Sequence, residues 1–254
     1  ARTTLIKWSK HKDPSAYIFW LDADDKYTNK FYISDVIQKM QATKADICLV
    51  NFSIIYEDES QKNNAAGLIK DKEKMAKIIK TILSSPKQSI NPLELSELLE
   101  VTSLGWVKCY APTVVLPQPI KCPFEDFVYM ASLLEVNTIT ALPAENEPIQ
   151  YLRRSNSICG QRKSKNFTDD IPNQLTKFFD VVLENSMHKK DQLKKVEMAQ
   201  KFVSMKLMQY LEILEKIIEA KSNTEIDQKT LEIYRKKGAA IEKYINEKIK
   251  TMVL

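Results

Sequence analysis

From Tyr17 to Leu21 the sequence runs Tyr-Ile-Phe-Trp-Leu with no polar interruption, and at Asp22-Ala23-Asp24-Asp25 it turns abruptly acidic. An uninterrupted apolar run of this length reads as a strand buried on both faces, the usual condition of a strand in a parallel sheet. Ligands of open α/β sheets bind at the carboxyl ends of such strands. Three carboxylates at that end repel one another and lose hydration, so they call for a cation or for donor groups. A divalent cation carrying a phosphorylated ligand is one answer. An acidic turn that simply stops the strand is the other.

The rest of the composition narrows the chemistry. With four Gly in 254 residues and no GxGxxG or GxxxxGK[ST] pattern, any nucleotide is held without a glycine-rich phosphate loop. The two His, His11 and His188, exclude a histidine-rich metal centre and point to a hard, oxygen-ligated ion such as Mg²⁺ or Mn²⁺. Cys48, Cys109, Cys122 and Cys159 lack CxxC spacing, which signals neither zinc nor a disulfide framework and suits a reducing compartment. A hydrophobic content of 44% with 28% charge is that of a globular chain, and no segment has the length and apolarity of a membrane span. Residues 1–160 hold 19 basic and 19 acidic side chains, whereas 161–254 hold 19 and 14, so the net charge of +5 lies wholly in the C-terminal part.

Along the chain, Ala1 to Lys12 reads as a helix and Asp13-Pro14-Ser15 as a turn into the acidic-ended strand. Phe31, Ile33, Val36, Ile37 and Met40 recur at helical spacing, and Ala45 to Tyr56 reads as one longer strand. Lys70 to Ser84 predicts a helix with Met75, Ile78, Ile79 and Ile82 on one face, and Asn91-Pro92 starts a short helix as cap and first-turn proline. Phe124-Glu125-Asp126 opens a helix carrying Phe127, Met130, Leu133 and Leu134, and short strands are expected at Thr138–Leu142 and Pro148–Leu152. From about Pro172 the pattern is helical. It runs through Leu175, Phe178, Phe179 and Val182, then through Phe202, Met205, Met208, Leu211, Leu214 and Ile218. A third helix from Thr224 carries Ile226, Leu231, Tyr234, Ile241, Tyr244 and Ile245. The lysines of this appendage are a solvated face or a basic surface for anionic lipid or nucleic acid.

Three segments resemble the inverting family 2 glycosyltransferases of GT-A fold. Ala1-Arg2-Thr3 followed by Tyr17 to Asp25 is similar to that family's ARN helix and YIxFLDxDD strand. Trp106-Val107-Lys108-Cys109-Tyr110 is similar to its WxKLY segment, and Phe124-Glu125-Asp126 with Tyr151-Leu152-Arg153-Arg154-Ser155-Asn156-Ser157-Ile158 to its FEDxxF and YRxxxxSI segments. Their order and intervals match over residues 1–160. The expected fold is therefore α/β, a GT-A-like, partly Rossmann-like sheet with flanking helices (1–160), followed by an all-helical appendage (161–254). Three departures stand out. The family's Asn and Gly after Ala-Arg are Thr3 and Leu5 or their neighbours here, Leu152 is inserted in the usual Tyr-Arg, and no strand–loop–helix unit for the nucleobase precedes Ala1. The last departure is what an N-terminally shortened enzyme, or a relative that no longer binds a nucleotide in the usual way, would show.

The resemblance implies a nucleotide-sugar donor, a uridine diphosphate sugar first among them, with Mn²⁺ or Mg²⁺. Asp22 and Asp24 become the metal and ribose–diphosphate carboxylates with Asp25 assisting, and Arg2, Arg153 and Arg154 the contacts to the nucleotide diphosphate. Asp126 becomes the general base for a glycan, lipid-linked or protein hydroxyl, with Glu125 orienting it or binding acceptor and Trp106 and Lys108 on the acceptor side. By its residues alone, Glu125-Asp126 is equally an acidic helix start and Trp106 equally core. The implied location is cytoplasmic, with the basic tail able to dock on the inner face of a membrane; nucleic acid is not an expected partner. A rival of a different class is a non-catalytic GT-A-like scaffolding protein with a vestigial acidic site.

Overall fold

The fold comes from a computed structural model that describes residues 11–58, 66–95, 97–101, 107–117, 126–154, 170–186, 191–220 and 225–253. It is a mixed α/β chain with two small mixed sheets, and it divides into two compact units. The first comprises Ala1–Leu116 with Ser132–Gln161, the second Pro117–Ala131 with Arg162–Leu254. The segment containing Asp126 thus belongs with the C-terminal helices and not with the sheets.

The first unit contains strands β1 (Ile18–Phe19), β2 (Lys26–Tyr27), β3 (Ile47–Leu49), β4 (Phe52–Tyr56), β5 (Ser89–Ile90), β6 (Lys108–Tyr110), β7 (Ile139–Ala141) and β8 (Ile149–Arg153). One sheet has the order β1-β6-β3-β7-β5, in which β3 and β7 are parallel and the other neighbours antiparallel. The other has the order β2-β8-β4, with β8 antiparallel to β2 and parallel to β4.

Two strand expectations are corrected. The run before the acidic cluster is a two-residue antiparallel strand at the end of its sheet, not a central parallel one. Only Ile18 is buried, and Leu21 is 40% exposed. When every residue of a run is apolar, periodicity cannot tell one covered face from two. The expected strand over 45–56 is two strands in different sheets, parted at Val50-Asn51. Asn51 is buried there and donates its side-chain amide to the Ala144 carbonyl at 2.9 Å, while the Val50 amide still serves Val107 at 3.0 Å. A buried polar side chain must find such a partner, and meeting it redirects the strand.

Helix α1 (Tyr32–Thr43) buries Tyr32, Val36 and Met40, an i, i+4, i+8 row, and leaves the expected Phe31 and Ile33 exposed. It stops at Lys44, whose left-handed backbone lets its amide reach the Gln41 and Met40 carbonyls. Helix α2 (Ala66–Leu83) buries the expected Met75, Ile78, Ile79 and Ile82. Asn91 accepts from the Leu93 amide at 2.9 Å and starts only a 3₁₀ turn, Pro92–Glu94, ahead of the short α3 (Leu98–Val101). The helix expected from Phe124 is broken in two. Helix α4 (Asp126–Tyr129) tightens at Met130, whose amide is shared between the Asp126 and Phe127 carbonyls, before α5 (Ala131–Glu135) begins.

In the second unit α6 (Ile171–Ser186), α7 (Gln192–Ala220) and α8 (Glu225–Val253) pack on one another. Their cores are Leu175, Phe178, Phe179 and Val182 on α6; Val196, Ala199, Phe202, Val203, Leu207, Leu214 and Ile218 on α7; and Leu231, Tyr234, Ile241 and Ile245 on α8. Phe127 of α4 joins through edge contacts to Phe202 and Tyr210, both 6.0 Å between centroids. The Tyr234 hydroxyl donates to the Leu207 carbonyl at 3.0 Å. The stripe expected through Met205, Met208 and Leu211 is not the core face, since Met208 is 54% exposed. Strict steps of three drift around a 3.6-residue helix, and the buried row mixes steps of three, four and seven instead.

Candidate functional site

The acidic turn links β1 to β2 and closes on itself through the Asp25 amide, which donates to the Asp22 carbonyl at 3.0 Å. Aromatic packing fixes its two flanks. Tyr32 meets Phe19 edge-on at 5.9 Å and Tyr27 at 4.8 Å between ring centroids, and its hydroxyl lies 3.1 Å from the Cys109 sulfur. The Tyr27 hydroxyl donates to the Trp20 carbonyl at 3.4 Å. A helix, both flanking strands and β6 therefore converge on the base of the turn.

β2 pairs with β8 in the register Lys26–Gln150 and Tyr27–Ile149, which brings the turn to the end of β8. There the Leu152 amide donates to Asp25 Oδ1 at 2.9 Å, and Arg154 Nε lies 3.8 Å from Asp24 Oδ2. Three carboxylates and the Arg154 guanidinium, from segments far apart in sequence, share one end of a small sheet. Asp25 is 8% exposed, and its Oδ2 is buried without a hydrogen-bond partner. The Nε atoms of Arg153 and Arg154 are likewise buried and make no hydrogen bond. Burial pushes the Asp25 carboxyl up to about 6, and the charges of Asp22 and Asp24 add to this. The Leu152 amide and Arg154 pull the other way.

Among the described residues no three His, Cys, Asp or Glu side chains form a ready-made metal cage. A magnesium-type ion does not require one, because it is commonly held by one or two carboxylates and the oxygens of a phosphorylated ligand. The unused Asp25 oxygen beside Asp24 fits that mode.

The remaining predicted residues are distributed differently. Asp126 is the half-buried first residue of α4, in the second unit. Lys108 is fully buried in β6, opposite Leu49, and shows no surface to solvent. Arg2, Trp106 and Glu125 lie outside the described residues. A cleft of about 230 Å³ between α7 and α8, lined by Gln200, Ser204, Glu242, Ile245 and Asn246, contains none of the predicted residues.

Sequence reasoning missed two contributors. Tyr32 is overlooked because its exposed neighbours Phe31 and Ile33 give an equally regular apolar spacing. Leu152, which departs from the family pattern as an insertion, supplies the backbone amide that holds Asp25, and no side-chain pattern could announce a main-chain donor. No protein-family model matches the chain, and no curated protein matches it in sequence.

Proposed function

We propose that this chain is a GT-A-type, metal-dependent inverting glycosyltransferase of family 2, moving a sugar from a nucleotide donor to a hydroxyl acceptor. The observation that carries the reading is the hydrogen bond from the Leu152 amide to Asp25, which brings two of the family-like segments together. Opposite charges assembled at one sheet end suit a ligand that is itself a cation–diphosphate pair. Mg²⁺ or Mn²⁺, when bound, supplies charge neutralisation for the leaving diphosphate. On this reading Asp22 and Asp24 hold the ion, Asp25 assists, and Arg153 and Arg154 hold phosphate oxygens. Asp126 takes the acceptor proton as the hydroxyl oxygen bonds to the anomeric carbon and the bond to diphosphate breaks.

Docking on a membrane through the basic helices belongs to the same proposal. Lys229, Lys236, Lys243 and Lys250 recur every seven residues along the exposed side of α8, although Lys236 and Lys243 are paired with Glu232 and Glu247. The rival reading, a non-catalytic scaffold, is favoured by a specific observation: Asp24 and Asp25 already have protein partners.

The test is release of uridine diphosphate from a panel of uridine diphosphate sugars with Mn²⁺, water serving as acceptor. The proposal expects slow, metal-dependent release from at least one sugar. A scaffold releases none.

A further inference from the structure

Helices α7 and α8 lie side by side, and their facing residues meet in layers. In one layer Gln200 Nε2 donates to Asn246 Oδ1 at 2.9 Å. Further along, Leu207 lies against Gly238 and its carbonyl accepts the Tyr234 hydroxyl at 3.0 Å. One helical turn separates Gln200 from Ser204 and Asn246 from Glu242, so the layer in between sets Ser204 opposite Glu242. Side chains normally fill a seam of this kind. Here the short Ser204 leaves the cleft of about 230 Å³, walled by Gln200, Ser204, Glu242 and Asn246 with the buried Ile245 between them. Among the described residues, neither the Ser204 hydroxyl nor the Glu242 carboxylate has a hydrogen-bond or ionic partner.

The lining selects the chemistry of a ligand. It holds one carboxylate and no Lys or Arg, so it repels phosphate and other anions. Four of its five residues are polar, and an apolar ligand would strand them. Glu242 and the Gln200 side-chain oxygen offer acceptors, Asn246 keeps its amide donors, and Ser204 offers either. An ammonium group only donates, and would leave Asn246 unused. A hydroxyl donates and accepts at once. We infer that this cleft binds one sugar ring of an uncharged glycan. One ring hydroxyl donates to Glu242 and accepts from Ser204, and a second donates to Gln200 and accepts from Asn246. A volume below the about 300–1,000 Å³ of drug-sized pockets suits a single ring. The inference uses no residue of the donor site and does not depend on that reading.

The experiment uses the whole chain as wild type, Glu242→Gln and Ser204→Leu. Saturation-transfer difference NMR is run without metal or nucleotide, using glucose, galactose, mannose and N-acetylglucosamine as probes and butylamine as the control. At least one sugar should bind wild type with a Kd on the order of 1–10 mM, the scale for a ligand of so few atoms. Butylamine, which brings a charge for Glu242 but no hydroxyl, should give no transfer. Glu242→Gln should weaken the sugar about tenfold, the scale of a lost hydrogen bond to a charged group. Ser204→Leu fills the cleft and should abolish binding. If that variant does not fold, Glu242→Gln carries the test, because the Glu242 side chain is exposed and the swap keeps its size. No transfer from any of the four sugars, wild-type affinity in Glu242→Gln, or transfer from butylamine would each overturn the assignment. The donor-site reading is judged separately, by uridine diphosphate binding.

Discussion

Asp25 and Leu152 stand 127 positions apart in the chain and meet through one hydrogen bond, the Leu152 amide donating to Asp25 Oδ1 at 2.9 Å. The bond ties the acidic turn to the end of β8 and leaves the second oxygen of Asp25 buried without a partner. A group held in that way costs stability when charged and is available to a ligand that supplies what the protein does not.

The pH dependence of stability follows from the same carboxyl. Its value is raised from 3.8 to about 6, so between those values the folded chain keeps a proton that the unfolded chain has lost. The contribution of Asp25 to stability therefore falls as pH rises through that window. Asp25→Asn, which retains an oxygen for the Leu152 amide, should be about 1–2 kcal/mol more stable than wild type at pH 7.5 and close to it at pH 4. Urea denaturation at the two pH values checks this, and a wild type more stable than the variant at pH 7.5 would refute it.

Tyr32 and Phe31 are adjacent and predict opposite outcomes. Tyr32 is 2% exposed and packs on both flanks of the acidic turn, whereas Phe31 is 58% exposed. Tyr32→Ala should cost about 3–5 kcal/mol, the range for a deleted core aromatic, and Phe31→Ala less than about 0.5 kcal/mol. Thermal unfolding of both variants measures the contrast.

Cys48 and Cys109 face each other across β3 and β6, both free and both buried. Burial pushes the Cys109 thiol up to about 12 and the Cys48 thiol well above its ordinary value. Neither should have appreciable thiolate at pH 8, so both should resist iodoacetamide in the folded chain and react once it is unfolded. Peptide mass mapping after labelling decides it, and rapid native labelling of either residue would contradict the burial.

Asp126→Asn should lower metal-dependent donor hydrolysis by about 100-fold or more, the contribution of a general base, while uridine diphosphate affinity stays within about twofold. Equal loss of turnover and affinity would remove Asp126 from the base role.

Helical periodicity was the most legible feature of the sequence. The α2 face of Met75, Ile78, Ile79 and Ile82, and the α6 face of Leu175, Phe178, Phe179 and Val182, are buried as the spacing predicts. Where two registers were both apolar, the sequence could not choose between them, so Phe31 stood in for Tyr32 and Met208 for Leu207. Strand direction and the division of 45–56 between two sheets depend on partners distant in sequence, Tyr110 and Cys109 in one sheet and Ile149 to Arg153 in the other. At the candidate site the acidic residues and the arginines were visible as residue types. Their meeting was not, because it rests on the β2–β8 register and on a main-chain amide.

The most direct measurement is a calorimetric titration of the wild-type chain with uridine diphosphate, with Mn²⁺ and without it. One-to-one binding is expected in the presence of Mn²⁺, at least about tenfold weaker in its absence and reduced by Asp24→Asn, as when the ion bridges carboxylate and diphosphate. Absence of binding with Mn²⁺ or Mg²⁺, or binding indifferent to both the ion and Asp24, would contradict it.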